Sequence, residues 1–315
     1  VFAAGSALCA VAQSPWAVIL GRTIQGAGAI SGVAIAMAGD LTRPSQRTKA
    51  MAIIGSTIGV AFAGSFVAAP FLKNAIGVPG IFALTGALAL AAVAIVAWVV
   101  PDPPPRRHGE AAVPFREVLR DPELARLNVG IFALHAVLMA LFVVVPLSLV
   151  RSGLPSAEHW GMYLGAVGTG FVLMLPFVAV RRIARNERAV FLGAVAVLAA
   201  GIAVLAVSAD RLPLLAAGLV IFFAAFNVLE AKLPALVSKA APPSAKGAAS
   251  GVYSSVQFLG TFVGGAAGGA IAQHFGPVAV LAACLAVTAA WLAAAWPMRE
   301  PSERGADAHN TNEPH

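Results

Sequence analysis

The chain has 315 residues, of which 59% are hydrophobic and 11% charged, with a formal net charge of +7. A soluble domain carries about a quarter charged residues, so this composition excludes a water-solvated globule and indicates an all-α polytopic membrane protein. No basic cluster is interleaved with aromatic residues, which argues against a nucleic-acid partner. The two cysteines, Cys9 and Cys284, lie in apolar runs without CxxC or disulfide spacing, so buried inert thiols are expected and neither a metal nor a cofactor is implied.

Apolar runs of about twenty residues follow one another, the length that crosses a hydrocarbon core of about 30 Å as a helix. A partial span covers 1–12, and further spans are predicted at 16–38, 50–72 and 80–100. These form a first membrane region, 1–100. A polar, proline-bearing linker follows at 101–127. A second region, 128–297, holds spans at 128–150, 160–180, 189–208, 213–237, 248–273 and 277–296. The tail at 298–315 has the composition of a disordered segment.

The basic residues of the connecting segments fall into two alternating sets. One set holds Arg43, Arg47, Lys49, Arg106, Arg107, Arg116, Arg120, Arg126, Arg181, Arg182, Arg185, Arg188, Lys239, Lys246, Arg299 and Arg304. The other holds Lys73, Arg151 and Arg211. The positive-inside rule assigns the first set, with the linker and the C-terminal tail, to the cytoplasm. Lys232 lies close by the first set, and only Arg22 belongs to neither.

An internal repeat orders the spans. The segment "PSQRTKAMAIIGS" from Pro44 aligns with "PSAKGAASGVYSS" from Pro243, and Gly77 aligns with Gly276 at the same offset. Parallel halves of six spans joined by a linker are one transporter plan. Projecting the offset back from Asn128 places the start of the first half well upstream of Val1. The chain is therefore expected to be a fragment of a twelve-span protein lacking helices 1, 2 and most of 3, and its spans are numbered 3 to 12.

Within helix 4, "LGRTIQGAGAI" resembles a motif of the major facilitator superfamily, with Arg, Gln and Gly in register. Three further stretches resemble the YajR-type inner-membrane transporters of that superfamily: "GDLTRPSQRTKAMAIIG", "FNVLEAKLPALVSKAAPPSAKGAASGVYSSVQFLGTFVGG" and "LHAVLMALFVVVPL". The resemblance implies two pseudo-symmetric six-helix halves, a bacterial inner-membrane location, and a central cavity lined by helices 1, 4, 7 and 10. It departs from the superfamily in helix 5, where "GSFVAAPFL" lacks the antiporter motif, and in "RRIARNERAV", which lacks the Gly and Asp of the loop motif.

A charge near the centre of a spanning helix costs about 2.5–3.5 kcal/mol on insertion scales, so such residues mark the bundle interior. Arg22 lies roughly 9 Å from the outer end of helix 4, and Gln25, three residues on, shares its face. Arg22 either knits helices through backbone carbonyls or, as the resemblance implies, faces the cavity, where it meets a proton-carrying acid or an anionic substrate group. Glu230 is the only acidic residue within any span, roughly 12 Å from the cytoplasmic end of helix 10. Burial disfavours a charged carboxyl, the property that a proton carrier uses. Asn227 at i−3 is expected on the same face, and pairing with Lys232 is the plainer alternative for the acid. His135 lies at the same depth on helix 7, either as a satisfied core residue or sharing a proton with Glu230.

Gly260, Gly264 and Gly268 on helix 11, and Gly55 and Gly59 on helix 5, are spaced four apart and are expected to let helices approach closely. Asp40, at the cytoplasmic end of helix 4, is a surface charge or, by resemblance, an inner-gate residue. Phe222, Phe223, Phe226 and Tyr253 fall near the expected cavity. The short loops offer no catalytic cluster, which argues against an enzyme. The resemblance implies a secondary active transporter of small molecules working by alternating access as a monomer in the lipid bilayer, with proton-coupled efflux as the leading expectation. A proton symporter or uniporter of a metabolite, or a non-transporting membrane sensor, are the alternatives.

Overall fold

The computed structural model describes residues 1–28, 37, 41–42, 46–101, 118, 120–179, 186–242 and 245–298. All regular structure among them is helical, and seven of the described helices are long and apolar enough to cross a membrane. Two compact units form, Val1–His108 and Gly109–His315.

The first unit holds α1 (Phe2–Val11), α2 (Pro15–Ala27) and α3 (Arg47–Trp98). Ser14 starts α2 by accepting the Ala17 N–H at 3.2 Å, with Pro15 supplying the fixed φ that suits a first helical position. A short turn then lays α2 along α1, where the buried Cys9 thiol donates to the Val18 carbonyl at 3.6 Å. The two spans expected at 50–72 and 80–100 both lie in α3, which breaks between them at Gly77 (φ 67°, ψ 176°). That backbone region is essentially restricted to glycine. Gly276, the repeat partner of Gly77, takes φ 83° and ψ 171° in the other unit, so the local backbone repeats as the sequence does.

The second unit holds α4 (Pro122–Arg151), a 3-10 turn (Ser156–Glu158), α5 (His159–Ala179), α6 (Glu187–Ala206), α7 (Leu212–Ala240), α8 (Lys246–Phe275) and α9 (Pro277–Ala295). Helix α4 begins at Pro122, inside the segment expected as linker. Asp121 accepts from Glu123 N and Leu124 N at 2.9 and 3.2 Å, and Glu123 binds Arg126 at 2.7 Å, so a polar capped turn extends the apolar helix. Helices α4 and α7 are central: α4 packs along α8, α9 and α7, and α7 along α6 and α5. Phe191, Phe222, Phe223 and Trp291 are fully buried among them.

The seam between α4 and α8 is glycine-lined. A Cβ on Gly260 would collide with the Phe132 backbone, one on Gly264 with the Ala136 backbone, and one on Gly268 would stand 3.0 Å from Ala140 Cα. Four-residue steps thus run in register on both helices, the ridge spacing of close packing. Gly265 and Gly269, beside the seam, face nothing within 4 Å.

Charged contacts sit at the helix ends. Arg151 binds Asp210 at 2.7 and 3.2 Å, joining the end of α4 to the α6–α7 turn, where Ala209 and Asp210 both have positive φ. At the opposite end Lys239 pairs with Glu187 at 2.5 Å, and Arg188 donates to the carbonyls of Met298 and Trp296 at 2.9 and 2.7 Å. The hydrogen bond from Arg151 holds the Asp210 carboxyl below the usual carboxylate range. A depressed folded value contributes stability above the unfolded value, and that contribution is lost as pH falls through the folded one. The pair is well exposed, so its contribution is small. Asp210→Asn is expected to lower the melting temperature slightly at neutral pH, with the difference from wild type vanishing on acidification below about pH 4. Thermal melts of both proteins across that range measure this.

Candidate functional site

Three helices of the second unit each place one polar side chain at a single point. His135 comes from α4, Glu230 from α7 and Gln257 from α8. His135 Nδ1 stands 3.3 Å from the carbonyl of Ile131, one turn back on its own helix. A carbonyl can only accept, so Nδ1 carries the hydrogen and a neutral ring leaves Nε2 with a lone pair. Two groups converge on that nitrogen: the Gln257 side-chain nitrogen at 2.9 Å and Glu230 Oε1 at 3.3 Å.

Glu230 Oε1 is buried and, despite its 3.3 Å approach to Nε2, has no hydrogen-bond partner among the described residues. The two observations agree if the Nε2 lone pair is already engaged by the Gln257 amide. The His135 side chain is 12% exposed and that of Glu230 is 33% exposed, although Glu230 Oε1 itself is buried. A carboxylate oxygen against the acceptor side of a neutral ring is repulsive, and a buried acceptor without a donor is costly. One proton relieves both, resting either on the carboxyl or on the ring. Phe226 flanks His135 with ring centroids 5.8 Å apart, and the buried Tyr253 hydroxyl lies within electrostatic reach of Glu230 without a hydrogen-bond partner among the described residues.

The expected neighbours of Glu230 go elsewhere. Asn227 shares the helix, but its amide donates to the Val167 carbonyl of α5 at 3.4 Å. A three-residue spacing fixes a similar side of α7, and α7 presents that side to more than one helix. Lys232 is buried, and His135 rather than Lys232 is the ionisable group at ion-pair distance from Glu230.

In the first unit, Arg22 donates to Gln25 Oε1 at 2.7 Å, and Gln25 donates in turn to Ser6 Oγ at 2.6 Å. Ser6 then donates to the Phe2 carbonyl at 3.1 Å. Gln25 and Ser6 are buried between α1 and α2, whereas Arg22 is exposed. The chain of bonds therefore fixes one side of the guanidinium, and no other hydrogen bond from it is seen among the described residues. Asp40 lies outside the described residues, as do the surroundings of Gly55 and Gly59. Among the described residues no group of three His, Cys, Asp or Glu side chains could hold a metal ion.

Gln257 is the site residue that the sequence reading missed. Its signal was an amide in an apolar helix, one turn beyond Tyr253 and three residues before Gly260 on the close-packed seam.

Comparison with known proteins gives concordant results. The family model described as Major Facilitator Superfamily matches residues 1–265 and again residues 187–314. The inner membrane transport protein YajR of Escherichia coli (strain K12) is 40% identical over 305 residues, covering 96% of this chain and 67% of that protein. An uncharacterized transporter of Buchnera aphidicola subsp. Acyrthosiphon pisum (strain APS) is 30% identical over 266 residues, covering 82% of this chain and 68% of that protein. Among solved structures, the human organic anion transporter MFSD10 (TETRAN) has the same fold, with a TM-score of 0.66 at 21% identity over 93% of this chain and 74% of that one.

Proposed function

The chain belongs to the major facilitator superfamily of membrane transport proteins, and from that premise we propose that it is a proton-coupled secondary transporter of small molecules. The observation that carries the proposal is the meeting of Glu230 and His135 at 3.3 Å between two membrane-spanning helices. Such residues are costly in a bilayer and cluster on ion pathways. The pair holds one proton stably, and the Glu230 side chain is partly exposed, which gives the proton a route of exchange. Alternating access exposes that carboxyl to each side of the membrane in turn. Efflux is the proposed direction, with the tail and the linker cytoplasmic in a bacterial inner membrane, as the distribution of basic residues supports. The protein works as a monomer.

Arg22 is the charged residue of the first unit with a part in this reading. Oriented by Gln25, it presents fixed donors to an anionic group of the substrate or to a proton-carrying acid. Arg22→Ala is expected to abolish transport while membrane insertion, read by fractionation and detergent gel filtration, persists. Unchanged transport would assign Arg22 to packing alone.

The direct test reconstitutes the full-length protein in vesicles with a trapped pH indicator and adds small organic ions and metabolites in turn. A proton-coupled transporter moves protons when its substrate is present, and the sign of the pH change distinguishes antiport from symport. Substrate flux indifferent to an imposed pH gradient would refute proton coupling and leave a uniporter.

A further inference from the structure

The proposed proton site has a third member whose role follows from counting lone pairs. With Nδ1–H committed to the Ile131 carbonyl, neutral His135 has one acceptor position, on Nε2. The Gln257 amide occupies it at 2.9 Å, and Glu230 Oε1 waits at 3.3 Å without a hydrogen bond among the described residues. A proton can pass from Glu230 to His135 only through that same lone pair. We infer that Gln257 is a positioning residue which, by holding Nε2, keeps the shared proton on Glu230 until α8 shifts and releases the ring. This inference rests on the proton-coupled reading and specifies how helix movement would be tied to it.

The transfer balances simply. When the amide withdraws, the Glu230 O–H bond breaks and an Nε2–H bond forms, leaving a carboxylate beside an imidazolium with the total charge unchanged. Withdrawal requires only a small displacement, because a hydrogen bond weakens steeply with lost alignment. Helix α8 is suited to such movement, since its contact with α4 includes a stripe of glycines that carry no side chain to interlock. The reverse coupling holds equally: a proton on Nε2 faces the amide N–H and repels it.

Other ionisable groups near the pair do not offer the same control. From α7, Glu230 is the reacting acid, and Lys232, two residues further on, stands on a different side of the helix. From α8, Tyr253 lies within electrostatic reach of Glu230 but makes no hydrogen bond among the described residues. Helix α9, the remaining helix along α4, carries no charged residue, and its one titratable group is Cys284.

The test is infrared difference spectroscopy on the full-length protein in lipid. The carboxylic-acid band of Glu230 is identified as the band that Glu230→Gln removes. Gln257→Leu and Gln257→Met retain the bulk and helix preference of the side chain but lack the amide donor. A neutral hydrogen bond of ordinary net strength corresponds to roughly a three- to tenfold change in the ratio of the two states. Both variants are therefore expected to lower the protonated-Glu230 to protonated-His135 ratio by that factor, with a matching gain in doubly protonated imidazole by nitrogen NMR. Either variant suffices if the other folds poorly. A Glu230 band that these variants leave unchanged would overturn the role of Gln257 alone. A wild-type spectrum with no band that Glu230→Gln removes would overturn the proton reading and this inference together.

Discussion

Glu230→Gln in the full-length protein is expected to reduce flux driven by a pH gradient to the level seen without one, while substrate exchange at equal pH on both sides continues. The amide keeps the shape of the carboxyl, so the helices remain packed. It cannot release or regain a proton, so the gradient has nothing to act on. The expected loss is the whole of the gradient-driven part of the flux. Paired flux measurements with and without the gradient separate this from a general loss of transport. Equal loss of exchange and of driven flux would mean that Glu230 serves folding or substrate binding instead.

The second large effect concerns stability. Gly264→Ala places a methyl group against the Ala136 backbone, where no side chain can rotate away. Either α4 and α8 separate or the helix kinks, and overpacking of this kind costs about 1–3 kcal/mol and occasionally more. A clear fall in melting temperature in detergent is expected. Gly265→Ala, one residue along, meets nothing within 4 Å and is expected to stay within about 0.5 kcal/mol of wild type. Because the seam also carries the His135–Gln257 contact, Gly264→Ala is expected to weaken transport beyond its effect on stability. Equal melting temperatures for the two variants would show that the seam tolerates spreading.

Much of the architecture is legible in the sequence because a bilayer imposes its length on every apolar run. Most of the spans appear as helices where the residues are described, although α2 ends at Ala27, within the span expected at 16–38, and the repeat that aligns Gly77 with Gly276 reappears as a shared positive-φ backbone. Helix starts are less legible: a polar capped turn at Asp121 belongs to α4 physically but not by hydropathy. The acid and the histidine could be matched by depth, since rise per residue is fixed along a helix. Which neighbour each side chain meets could not. Asn227 turns to α5, and Gln257 enters from a helix more than a hundred positions away in sequence. Those pairings depend on how α4, α5, α7 and α8 are rotated about their axes, and that rotation is set by packing, above all by the glycine seam. The Arg22–Gln25 contact was legible because both residues lie on one helix, whereas the Ser6 link that fixes Gln25 depends on how α1 and α2 meet.

The most direct measurement is of protons released or taken up when substrate is added to the detergent-solubilised full-length protein in weak buffer, with no membrane and no gradient. If Glu230 and His135 share the coupled proton, saturating substrate displaces a proton from the wild-type protein across a defined pH window, and Glu230→Gln abolishes the signal while still binding substrate. Equal proton release from wild type and Glu230→Gln would contradict the assignment of the proton to this pair.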